Sequence, residues 1–281
     1  MYIEKYLQFI YKNKGERKCQ AKYFRGHANR DWDLKPSVFR NGYDEFENHF
    51  YQKIQIRYPN EFKNLGHLDK LAKMQHFGCP TRLLDVTNNP IVALWFACQP
   101  CTESECGKET DGVLYCFHSP AGEPRGPESD RALMLSVLAS FSKEEQYAIM
   151  NADFSAFNEN GTYQNETLER FFYEISKERS TFKRIMKQSD LTKNVFVQPF
   201  FSNPRIQRQE GAFLVFGGDF SDTNFQKDMT SIRIFAEEKW HILDELGVLG
   251  ITKDFLFQDL EAAASDLKYN ITKMMNDLNR R

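Results

Sequence analysis

The chain has 281 residues, 27% of them charged, with a formal net charge of -2 and a pI near 6.3. That length suits one large domain or two small ones, the 41% hydrophobic content excludes a disordered chain, and the charge gives no overall pull towards nucleic acid. No apolar run approaches the ~20 residues of a transmembrane helix, and Met1 to Lys5 lacks the head and core of a signal peptide, so a cytoplasmic location with no membrane partner is expected.

In chain order, Ile3, Tyr6, Leu7 and Ile10 recur at helical spacing, and Gly15 ends that helix. Gln20 to Phe24 reads as a short strand broken at Gly26, and Asn29 to Gly42 as a loop dense in turn formers. Phe46, Phe50 and Ile54 give a helix that stops before Pro59. Phe62, Leu65, Leu68, Leu71 and Ala72 give another, ending near Gly78 with His76 in its last turn. Arg82 to Val86 is a predicted strand. Asn89-Pro90 then starts a helix, Asn as the capping residue and Pro as the first helical one. The body of that helix, Ile91 to Cys98, is apolar nearly all round and requires burial.

Pro100 to Asp111 is a polar loop, Gly112 to His118 a strand, and Ser119 to Pro127 a Pro- and Gly-rich connection. Arg131 to Phe141, Tyr147 to Phe157 and Leu168 to Met186 are predicted helices. Asn194 to Phe200, Gly211 to Phe216 and Ser231 to Phe235 are predicted strands, with Gly217-Gly218 closing the second. Trp240, Leu243 and Leu246 begin a final helical pair in which Thr252 caps the last helix. No linker or repeat divides the pattern. The expectation is one α+β domain over residues 1–281, with a small mixed or antiparallel sheet and many surrounding helices.

Three polar clusters stand in apolar flanks, far apart in sequence: Tyr23 to His27, Gln75 to Asn89 and Asn203 to Phe213. Polar groups held in apolar surroundings at three places suggest one composite cleft. Arg82 and Asp85 flank Leu83-Leu84 and need partners, either each other or the rim of that cleft. Arg25 could grip a phosphate or carboxylate through its planar fork, or pair with Asp31, Asp33 or Asp85. Gly26 permits close approach of a ligand or of backbone. Asp85 could orient Arg25, accept from a ribose hydroxyl or fix its strand to the preceding loop; Thr87 could touch a ligand or make a local turn bond. His27 and His76 are candidate acid–base groups, and His76 equally a helix cap. Tyr23 and Trp32 could stack on a ring or pack in the core. Cys98 and Cys101 have zinc-type spacing, with Cys106 and Cys116 following. Yet Cys98 ends a buried helix and no second close pair exists, so free thiols and no metal are expected.

Phe24-Arg25-Gly26, Pro80 to Thr87 with Asn89-Pro90 and Val92 to Ala97, and Asn203 to Ile206 with Gln209, Gly211 and Phe213 together resemble the FRG domain family. The similarity runs over about residues 20–260, its tail at Gly250 to Leu260 departing at Gln258, where the family usually has Pro. Its members are mostly bacterial or phage proteins with no agreed reaction. An aromatic-Arg-Gly strand, a strand ending in Thr87 before Ala93 to Ala97, and a late strand at Gln209 to Phe213 also resemble the arginine-type ADP-ribosyltransferases and their split sheet. That second resemblance implies a toxin or defence enzyme using NAD as substrate, with a protein or nucleic-acid acceptor. It places Arg25, Gly26, Arg82, Asp85 and Thr87 on the dinucleotide and Glu210, Gln209 and His27 at the reaction centre. Gln209 holds the position where that class carries its catalytic Glu, and Glu210 on a strand would face the other way. The other reading is a non-catalytic module that binds a nucleotide or a protein through the same cleft.

Overall fold

The computed structural model describes residues 1–12, 21–102, 107–119, 126, 128–154, 165–184, 186–198, 204–217, 229–257, 267–268 and 271. The fold is α+β. Six strands form one antiparallel sheet: β1 (Ala21–His27), β2 (Leu83–Thr87), β3 (Gly112–Ser119), β4 (Val195–Val197), β5 (Gly211–Val215) and β6 (Met229–Ile234). Their spatial order is β4-β5-β2-β1-β3-β6.

The sheet is two three-stranded halves. In one, β3 pairs with β1 over seven residues and with β6 over six; in the other, β5 pairs with β2 over five and with β4 over three. Across the middle, β1 and β2 pair at a single position, Phe24 with Thr87. Continuing that register would set Arg25 against Val86 and Gly26 against Asp85, but the strands splay there and leave a wedge.

Side chains alternate across the pleat and sort into three clusters. On one face, Leu83, Val195, Val197, Phe213 and Val215 pack under α2 (Glu47–Arg57), α4 (His67–His76), α6 (Asp130–Leu138) and α8 (Glu166–Glu178). On the same face of the other half, Phe24, Leu114, Cys116 and Ile234 pack under α1 (Ile3–Lys12), α5 (Pro90–Ala97) and α11 (Ala236–Val248). The opposite face joins the halves through Tyr23, Leu84, Val86, Phe117, Phe196 and Leu214. Tyr23 stacks on Phe196 with ring centres 4.4 Å apart, so it is core.

The structure moves several expected boundaries. β1 runs through Gly26, because the missing Cβ lets α5 lie on the strand: a side chain there would meet the Ala93 carbonyl and the Ala97 amide. The helix expected over Phe62 to Ala72 is two, α3 (Pro59–Phe62) and α4, separated at Gly66. α7 (Lys143–Met150) starts earlier than expected, because Ser142 and Glu145 form a reciprocal cap; residues 155–157 of the expected helix lie outside the described residues. α8 ends at Glu178, well short of Met186, and a one-turn helix, α9 (Gln188–Thr192), follows. Another short helix, α10 (Pro204–Arg208), precedes β5, and α12 (Lys253–Phe257) follows α11. Asn89 and Thr252 cap as expected: the Asn89 side chain accepts from the Ile91 and Val92 amides, and Thr252 Oγ1 from the Phe255 amide. Asn203, Gly218 and Gln258 to Leu260 lie outside the described residues.

Candidate binding pocket at the sheet split

The wedge between β1 and β2 opens into a pocket of about 210 Å³. β1 supplies Arg25 and Gly26, β2 supplies Asp85 and Thr87, and the turn before β5 supplies Gln209. α4 adds Gln75 and His76, α5 adds Phe96, and α10 adds Arg205. The three clusters singled out in the sequence therefore converge on one cavity.

Arg25 is half-buried in the wedge. Its Nη1 donates to the Asp85 carbonyl, which the splayed ladder leaves unpaired on that side, and its Nε donates to His27 Nε2 at 2.8 Å. Both partners are neutral acceptors, and among the described residues Arg25 makes no ion pair with a carboxylate. Burial lowers its pKa from the ordinary arginine value, and the nearby Asp85 opposes this. A guanidinium retains its proton regardless. The result is a cation with spare donors on a pocket wall.

His27 is buried and lies outside the pocket lining. Burial first, then the cations Arg25 and Arg40, push its pKa down to about 3, so it is neutral and accepts from Arg25. That state suits a positioning group rather than the acid–base group expected from sequence.

Asp85 projects from the same wall. Its Oδ2 accepts from Gln75 Nε2 at 2.7 Å, and Gln75 Oε1 accepts from Thr81 Oγ1. That relay fixes the carboxylate and ties α4 to the start of β2. Thr87 Oγ1 donates to the Gln209 carbonyl at 2.6 Å and accepts from the Asn89 amide at 2.9 Å, so it locks the turn before β5 to the start of α5. Gln209 Nε2 donates to the Leu256 carbonyl at 3.3 Å.

Two further sequence assignments, besides His27, need correction on position. Arg82 does not line the pocket; it is fully buried just before β2. Its Nε donates to Glu47 Oε1 at 2.8 Å and its Nη2 to Glu47 Oε2 and to Gln146 Oε1. A buried charge requires an opposite one, and Glu47 of α2 supplies it, so the Arg82–Asp85 pair does not form. Glu210 is not on a strand: β5 begins at Gly211, and Glu210 sits in the preceding turn with φ 45°. Its carboxylate accepts from Asn89 Nδ2 at 2.8 Å at the N-terminus of α5, outside the pocket lining.

Residues 20–106 match the family model of the FRG domain. The chain carries an FRG domain. No curated protein matches the chain, and no solved structure does. The FRG segment contributes β1, β2, α4 and α5, and with them Arg25, Asp85, Thr87 and Gln75. Arg205 and Gln209 come from beyond it, so the pocket needs more of the chain than the matched segment.

Sequence reasoning did not assign Gln75, Arg205 and Phe96 to the site. Gln75 opens the second polar cluster, and Arg205 follows Asn203-Pro204, which repeats the Asn89-Pro90 helix start; that repeat was the available signal. Arg205 stacks on Phe257 at 4.5 Å, and its charge contributes, after burial, to lowering the pKa of His76. The described cysteines, Cys79, Cys98, Cys101 and Cys116, are free, while Cys19 and Cys106 lie outside the described residues. No metal-holding cluster occurs among the described residues.

Proposed function

We propose that the wedge pocket binds a phosphorylated small molecule of the nucleotide class, with Arg25 as the anchor for its negative charge. The observation that carries this is the Arg25 guanidinium, held in the sheet split by neutral acceptors with no carboxylate partner among the described residues. A half-buried cation with no carboxylate bonded to it is only partly compensated by the nearby Asp85, and an anionic ligand supplies the rest. Arg205 adds a second positive charge on the same cavity, and Asp85 with Gln75 offers acceptors for sugar hydroxyls. The volume, about 210 Å³, falls below the ~300–1,000 Å³ of sites that enclose a whole ligand. It suits one end of a dinucleotide such as NAD, the rest lying outside.

Calorimetry with NAD, ADP-ribose and nicotinamide mononucleotide tests this. Arg25→Lys keeps the charge and loses the fork, so affinity falls by roughly ten- to a hundred-fold, the equivalent of ~1.5–3 kcal/mol. Arg205→Ala weakens binding without touching the sheet. Absence of binding by all three ligands overturns the reading.

Turnover is a second reading, favoured by one observation: Asp85 is the carboxylate among the lining residues. In transfer of ADP-ribose from NAD a carboxylate stabilises the oxocarbenium-like ribose and binds its 2-hydroxyl. Asp85 lines the pocket and Glu210 does not, which supports giving that role to Asp85. Asp85→Asn abolishes nicotinamide release while NAD still binds, and Glu210→Gln leaves release intact; a wild-type protein that binds NAD without releasing nicotinamide leaves a binding module.

A further inference from the structure

The helix α2 centres its buried face on polar positions and leaves its apolar stripe only partly covered. Its apolar stripe is Phe46, Phe50 and Ile54, four residues apart, yet the residues it buries are Glu47 and Tyr51. The cause lies in the interior: Glu47 is drawn in to neutralise Arg82, and Tyr51 to bond and stack with His67. Centring the buried face on those two positions leaves the stripe at its edge, where Phe50 and Ile54 still touch the core on one side and Phe46 does not. Phe50 and Ile54 end half-buried, while Phe46 is 57% exposed, Ile56 72% and Tyr58 55%. Between them runs an open groove of about 700 Å³, floored in part by Cys79. Phe77, two residues from Cys79, is exposed as well.

We propose that this groove receives an acidic amphipathic helical segment of a partner protein. A contiguous exposed apolar strip beside polar residues marks an interaction surface. Its anchors recur at one helical turn, ~5.4 Å, which is the spacing at which a second helix presents its own apolar residues. Concavity favours inserted side chains over a flat bilayer. Charge sets the sign of the partner. Lys53, Arg57 and His49 border the groove, and no Asp or Glu lines it. Three acids on neighbouring segments are engaged elsewhere, Glu47 with Arg82, Asp44 with Lys143 and Glu61 with Lys73, while the exposed Glu45 does not line the groove. Lys53 and Arg57 make no ion pair among the described residues, so both remain available to carboxylates on the partner.

The test uses the full chain and a fluorescent helical peptide with Leu at every third or fourth position and Glu between. The comparison peptide carries Lys in place of Glu. Fluorescence anisotropy should show the acidic peptide binding at least ~10-fold tighter, with affinity falling as salt rises. Ile56→Asp should weaken it by ~10-fold or more, and Lys53→Glu with Arg57→Glu should reverse the peptide preference. All these positions are exposed, so melting temperatures should stay unchanged. Equal binding of both peptides, no binding at roughly 100 μM, or indifference to the substitutions overturns the proposal. So does a concentration-dependent dimer lost in Ile56→Asp, or binding to anionic vesicles lost in the same variants without peptide binding.

Discussion

His27 and His67 show how burial decides what an ionisable side chain can do. Burial and the Arg25 and Arg40 cations push the pKa of His27 down to about 3; burial and Lys70 push that of His67 to about 4. Both titrate near ~6.5 in an unfolded chain. Below that value the unfolded chain takes up protons that the folded one refuses, so stability rises with pH in this window. The contribution is fully present above pH ~6.5 and is lost as the pH falls towards the folded values, at up to ~1.4 kcal/mol per pH unit for each histidine. Thermal melts between roughly pH 6.5 and pH 5 should therefore show a steep acid loss that His27→Gln reduces and His27→Gln with His67→Gln reduces further. An unchanged slope in the double variant would refute the assignment. None of this was legible in the sequence, where His27 reads as an acid–base candidate. Arg82 is the parallel case: its need for a partner was legible, but Glu47, 35 residues upstream, was not.

Elements were more legible than their contacts. Local chemistry fixes the caps at Asn89 and Thr252 and the uniformly apolar α5, and these stand where expected. Short elements escaped because they lack a full period of pattern, as α10 does over Pro204–Arg208. Gly26 was legible as a place of close approach, though not what approaches. Both Gly26 of β1 and Gly112 of β3 lie against the backbone of α5, where any side chain would meet the Ala93 or Ala97 main chain. Backbone cannot step aside as a flexible side chain can, so α5 would have to lift from the sheet. Gly26→Ala should therefore lower stability by ~1–3 kcal/mol or more, read as the midpoint of urea unfolding. Gly247→Ala on α11, where an added Cβ meets nothing within 4 Å, is the control and should be neutral or stabilising. Equal effects would show that α5 does not set the limit.

For the molecule as a whole, the sheet is continuous in topology and weak at its centre. β1 and β2 share one residue pair, while each is paired along its other edge with β3 or β5. The sequence could suggest a split sheet only through resemblance, because strand order is set by contacts between distant segments. Arg25 spans the gap by donating to the Asp85 carbonyl, so one side chain serves both the junction and the pocket. This coupling predicts a pattern of backbone exchange. Without ligand, amides of β2 around Asp85 to Thr87 should exchange faster than those of β3, which is paired on both edges. Arg25→Lys should speed exchange at the junction and leave the α6 and α8 core unchanged. Saturation with ADP-ribose at ~100 times its dissociation constant supplies up to ~2.7 kcal/mol to openings that release the ligand, about a hundred-fold slowing. That slowing should fall on β1 and β2 beside the wedge and on α10, which carries Arg205. Protection confined to other segments, with binding intact, would move the site away from the split.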